Sequence, residues 1–140
     1  MRSPVLVVLA ALFAIEAVTG LILFAARLIS GRAPGESIHI AAGAAVVGVY
    51  AVYQARHWAR VRSLRWRLDH GLGLLAAVFM VLTLASGAVL ALSWWDTQAE
   101  PDTAAKVAYS PLWSALHNVA SLLILTFLGA HLCAVLFRDR

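Results

Sequence analysis

Charge is scarce in this chain. Only 13% of its 140 residues are Asp, Glu, Lys or Arg, while 62% are hydrophobic, and the mean hydropathy is +0.84. A water-soluble domain of this size would have too little polar surface to cover its core, so a soluble globular fold is excluded. Cysteine is limited to Cys133, which excludes a disulfide framework and a thiolate metal cluster. A basic polar face is also missing. The net charge of +4 sits at the ends of apolar runs, so nucleic acid is not an expected partner. The N-terminal apolar run continues to about Leu28 without a small-residue cleavage site and a polar sequel. It is expected to stay as a first membrane span.

What is present are four apolar stretches, each long enough to cross a bilayer. They cover about 4–28, 37–58, 68–95 and 112–137. Pro4 suits a first helical turn, and Ser37 is the expected cap of the second span. A breaker-rich turn, Ser30-Gly31-Arg32-Ala33-Pro34-Gly35-Glu36, separates the first two. The expected fold is all-α: an integral membrane four-helix up-down bundle, read as one domain over residues 1–140, in contact with the lipid bilayer. Arg2, Arg56, Arg60, Arg62, Arg65, Arg67, Arg138 and Arg140 would lie on one side of it. Arg27, Arg32 and Lys106 would lie on the other, with Glu36, Asp96, Glu100 and Asp102. The positive-inside rule then places both termini in the cytoplasm, in a bacterial inner membrane. Trp94, Trp95, Tyr109 and Trp113 form the expected outer aromatic belt, Trp58 and Trp66 the inner one.

A weak internal repeat runs through the chain. Thr19-Gly20 in span one precedes His39 near the start of span two. Ser86-Gly87 in span three precedes His117 near the start of span four. Spans two and four would run in the same direction, which puts His39 and His117 at similar depth. His131 lies fourteen residues after His117, on nearly the same helix face and roughly 21 Å along the axis. Histidine inside a span is costly to bury, so its default reading is functional. Imidazole is a haem axial ligand. His39 and His117 are therefore the expected ligands of an outer haem, with Gly43 and Ser121, one turn below each, as room for the macrocycle. His131 is the expected ligand of an inner haem. His57 and His70 are equal candidates for its partner, and Tyr53 is a third. No Cys-x-x-Cys-His run occurs, so haem b would be held without covalent attachment. Arg56, Arg60 or Arg67 could pair with propionates inside, and Arg27 or Arg32 outside. Glu16, near the middle of span one, is either a proton acceptor beside a quinol or a neutral acid bonded to a neighbouring helix.

Over residues 14–60 the pattern Val18-Thr19-Gly20-Leu21-Ile22-Leu23, His39-x-x-x-Gly43 and His57-Trp58-x-Arg60 resembles the flavinylation-associated cytochrome domain. That family is related to the four-helix cytochrome b subunits of formate dehydrogenases and hydrogenases. The resemblance implies haem b and electron transfer through the membrane, with quinol or a redox partner outside the cytoplasm at one end. The family's second span usually carries histidine fourteen residues after its first; here that position is Tyr53.

The function expected from these residues is that of an electron carrier within a larger membrane redox complex, not a catalyst by itself. Nothing soluble in the chain is large enough to bind a nicotinamide or an iron–sulfur cluster. Two other classes compete: a chlorophyll-binding subunit of a photosynthetic assembly, and a non-redox structural or proton-conducting subunit.

Overall fold

The structure is a computed structural model that describes residues 4–31, 33–61, 68–99 and 109–138. It is all-α, with four helices and, among the described residues, no strand. Arg2, Arg32, Arg62, Arg65, Trp66, Arg67, Glu100, Asp102, Lys106 and Arg140, which carry much of the orientation argument, lie outside the described residues.

Helix α1 spans Pro4–Ser30, α2 Glu36–Val61, α3 Leu68–Ala99 and α4 Pro111–Arg138. Each is long and apolar enough to cross a membrane, the build of a multi-pass membrane protein. The helices outrun the apolar stretches at six of the eight ends, by one residue to about a turn. Hydropathy reports where lipid ends, whereas the hydrogen-bonded backbone continues into the polar flanks.

The chain divides into two compact units, Met1–Leu64 and Arg65–Arg140. Each is a helical hairpin: α1 packs on α2, and α3 packs on α4. In the first, α1 ends where Gly31, at φ 66°, donates its N–H to the Arg27 carbonyl at 3.1 Å. That is a left-handed cap, and glycine takes it without a Cβ clash. The start of α2 differs from the sequence expectation. The Gly35 carbonyl accepts from the N–H groups of Ile38 and His39, at 3.0 and 3.3 Å. Gly35, at φ 77°, therefore occupies the cap, and Ser37 already lies inside the helix. Arg27 and Glu36 close this end with an ion pair at 2.6 Å. At the head of α4 the Ser110 carbonyl accepts from Ser114 N–H at 3.0 Å, and Pro111 takes the first helical position, where no N–H is needed.

Large apolar side chains point outward along every helix. Ile29 is 86% exposed, Leu28 72% and Leu92 67%. Water would penalise this heavily, whereas hydrocarbon does not. The buried positions are few and many of them small: Ala76 and Ser86 on α3, Ala120 on α4, and Val46 on α2. Small residues let membrane helices approach closely where no hydrophobic force draws them together.

Candidate functional site

Both hairpins use one device. A histidine on the second helix lies against a glycine on the first, where a Cβ would otherwise stand. A Cβ at Gly20 would come 3.2 Å from Cε1 of His39. At Gly87 it would come 3.0 Å from Cε1 of His117, and at Gly73 3.1 Å from Cε1 of His131. The register is that of an antiparallel hairpin. His117 and His131 are fourteen residues apart, as are Gly87 and Gly73 running the other way. The two rings of the second hairpin therefore occupy equivalent seats about 21 Å apart along the helices.

The seats also decide where each ring carries its hydrogen. His131 Nδ1 lies 2.8 Å from the Asp69 main-chain oxygen. A carbonyl has no hydrogen to give, so Nδ1 donates, and the neutral ring keeps its lone pair on Nε2. His117 Nδ1 donates to the Thr83 carbonyl at 3.1 Å. It also lies 3.3 Å from Ser86 Oγ, whose own hydrogen goes to the Leu82 carbonyl at 2.7 Å. His39 Nδ1 stands 2.9 Å from Thr19 Oγ1, which donates to the Ile15 carbonyl at 2.8 Å, and 3.2 Å from Glu16 Oε2. In His117 and His131 the nitrogen that can ligate a metal is Nε2, oriented by a hydrogen bond from Nδ1. Metal-binding histidines are held in this way. In His39, Nδ1 faces the Thr19 hydroxyl and the Glu16 carboxyl group.

In α3 the acceptor has a simple origin. Asp69 and Thr83 each precede the seat glycine by four residues. A helical carbonyl at that position already accepts from the glycine N–H, and its second lone pair remains for the imidazole because no Cβ covers it. In α1 the residue four before Gly20 is Glu16, and there the side-chain carboxyl meets the ring. The signal is present in the sequence as Glu16-x-x-Thr19-Gly20, Thr83-x-x-Ser86-Gly87 and Asp69-x-x-Leu72-Gly73. A search for hydroxyl–glycine pairs finds the first two and misses the third, where Leu72 replaces the hydroxyl.

The remaining expected residues are placed differently. His57 stacks on Tyr53 of its own helix, with ring centroids 5.5 Å apart and planes 15° apart. His70 lies on α3 at the same end of the hairpin as His131. Its Nδ1 is 3.6 Å from Asp69 Oδ1, beyond hydrogen-bond reach, and that nitrogen is buried without a hydrogen-bond partner. Gly43 does not stand open: a Cβ there would come 3.5 Å from Glu16 Oε2, so the space beside it belongs to that carboxyl group. Ser121 donates to the His117 carbonyl at 2.6 Å. Among the described residues no cluster of three or more His, Cys, Asp or Glu forms a protein cage for a metal ion. The donors are separate imidazoles. Comparison of the chain with protein-family models, curated proteins and solved structures finds no match.

Proposed function

We propose that this chain is an electron-transfer subunit of a membrane redox complex that holds haem b through His39, His117 and His131. The observation that supports this most is the shared seat of the three rings: glycine beneath, and Nδ1 turned toward an oxygen of the facing helix. A porphyrin fills four positions around its iron, so the protein need supply only axial nitrogens. Separate imidazoles oriented through Nδ1 suit that demand better than they suit a bare ion. The sequence repeat assigns His39 and His117 to one iron. His131 holds the second, with His57 or His70 as its partner; haem content of the His57→Ala and His70→Ala chains assigns that ligand. Bound haem b supplies one-electron chemistry at a potential set by its ligands, their hydrogen bonds and the surrounding dielectric.

The same reading places the chain in a bacterial inner membrane with both termini in the cytoplasm, following the arginine distribution. Quinol or an extracytoplasmic redox protein stands at one end, as the resemblance to flavinylation-associated cytochromes implies. The test is a reduced-minus-oxidised spectrum of the purified chain with a haem-to-protein ratio. Two haems per chain are expected, with one lost on His117→Ala. A colourless protein ends this reading.

A second reading keeps the seats and changes the ring. Chlorophyll-type pigments usually take one histidine each, and an odd number of seated histidines needs no fourth partner. Pigment extraction separates the two.

A further inference from the structure

The three seats differ in what faces Nδ1. At His131 it is a main-chain carbonyl. His117 has a main-chain carbonyl and a hydroxyl. At His39 a carboxyl group faces Nδ1, with Glu16 Oε2 at 3.2 Å beside the Thr19 hydroxyl at 2.9 Å. The carboxyl is committed to this place. It rests over Gly43, and its other oxygen, Oε1, is buried with no hydrogen-bond partner. An acidic group at this depth of a span is expensive to keep. The local packing offers it the imidazole of His39 and the clearance above Gly43.

A carboxylate accepts a hydrogen bond roughly twice as strongly as a neutral oxygen. An acceptor on the distal nitrogen raises the basicity of the nitrogen that binds metal. A more basic ligand stabilises the more highly charged metal. We infer that Glu16 is a positioning residue for His39, making it the most electron-donating of the three imidazoles and lowering the reduction potential of the haem it ligates. This rests on the reading of His39 as a haem ligand. It adds that the two haems are unequal, and that Glu16 makes them so.

The experiment is a redox titration of the full chain in detergent. The haem that His39→Ala removes identifies the component to follow, and the His131 haem is the internal reference. Glu16→Gln keeps the size of the side chain and removes its charge. The expected result is retention of both haems and a tenfold or larger shift of the His39 haem toward the reduced form. For a one-electron couple that is about 59 mV upward, with the reference haem unmoved. A residue that merely fills space would not move one potential alone. Both haems retained with the His39 component shifted less than twofold overturns the inference. If Glu16→Gln loses that haem, Glu16→Asp decides. Recovery of the haem with a carboxylate restored supports the inference, and a chain as empty as Glu16→Gln overturns it. Nitrogen NMR of His39 in the haem-free chain is independent of the cofactor: Nδ1–H supports the inference, and Nε2–H overturns it. A wild-type chain without haem overturns the reading beneath it. That outcome is distinct from a haem whose potential ignores Glu16.

Discussion

Alanine at Gly87 tests the seat most directly. Its Cβ would stand 3.0 Å from Cε1 and 3.3 Å from Nδ1 of His117. Carbon atoms rest about 3.5–4.0 Å apart, so the ring must withdraw by about 0.5 Å. Nδ1 already lies 3.1 Å from the Thr83 carbonyl and 3.3 Å from Ser86 Oγ. The withdrawal carries both to about 3.6 Å or more, where the hydrogen bond is gone. Losing it costs about 1 kcal/mol. Replacing glycine by alanine inside a helix returns about 0.8–1.0 kcal/mol. The two nearly cancel, so the thermal midpoint in detergent should barely move. Ligation does not cancel, because removing the support of a metal-binding histidine costs about 10–100-fold in affinity. Gly87→Ala should therefore fold normally and lose one haem, read as haem per chain from an alkaline pyridine spectrum. Gly73→Ala should do the same at His131, where the contacts are 3.1 and 3.2 Å. Gly48→Ala and Gly129→Ala meet nothing within 4 Å, so they should keep both haems. Full haem content in Gly87→Ala, or equal loss in Gly129→Ala, would refute the reasoning.

Ser86 is fully buried; Ser86→Ala leaves the Thr83 carbonyl to hold His117, so the haem should remain and stability should fall by about 1 kcal/mol or less. Ser86→Leu should lower the thermal midpoint further, since overpacking a close helix contact costs about 1–3 kcal/mol. The Arg27–Glu36 pair is partly exposed despite its 2.6 Å length; a double-mutant cycle should return about 0.2–1 kcal/mol, shrinking in 1 M salt as screening tightens. Phe79 and Phe127 stack at 5.4 Å with planes 8° apart, so Phe127→Leu should cost about 0.5–1.5 kcal/mol of hairpin stability without loss of haem.

Much of the architecture is legible in the chain because hydrocarbon is an undemanding solvent. A run such as Val5–Leu28 needs only to be apolar and long enough, and neither property depends on what it packs against. Caps are legible in part. Pro4 and Pro111 fall at first helical positions, as a missing N–H predicts. Ser37 misleads, because Gly35, two residues earlier, already accepts from the Ile38 and His39 N–H groups. The repeated hydroxyl–glycine pairs mark two histidine seats, since a hydroxyl that meets the ring and the clearance for it are written as adjacent residues. The third seat escapes, because Leu72 stands where the other two carry a hydroxyl.

The sequence by itself determined four membrane-length helices and the histidines they carry, because span length and side-chain type are local properties. It could not determine which glycine each ring would meet. That depends on the register of two helices, and a slip of one residue turns a side chain by about 100° around its axis. Only the packed hairpins decided that Gly20, Gly87 and Gly73 receive imidazoles. The same packing set the Glu16 carboxyl beside Gly43. The Nδ1 hydrogens are likewise a tertiary result, since a ring's tautomer is chosen by the atom it faces across the helix pair.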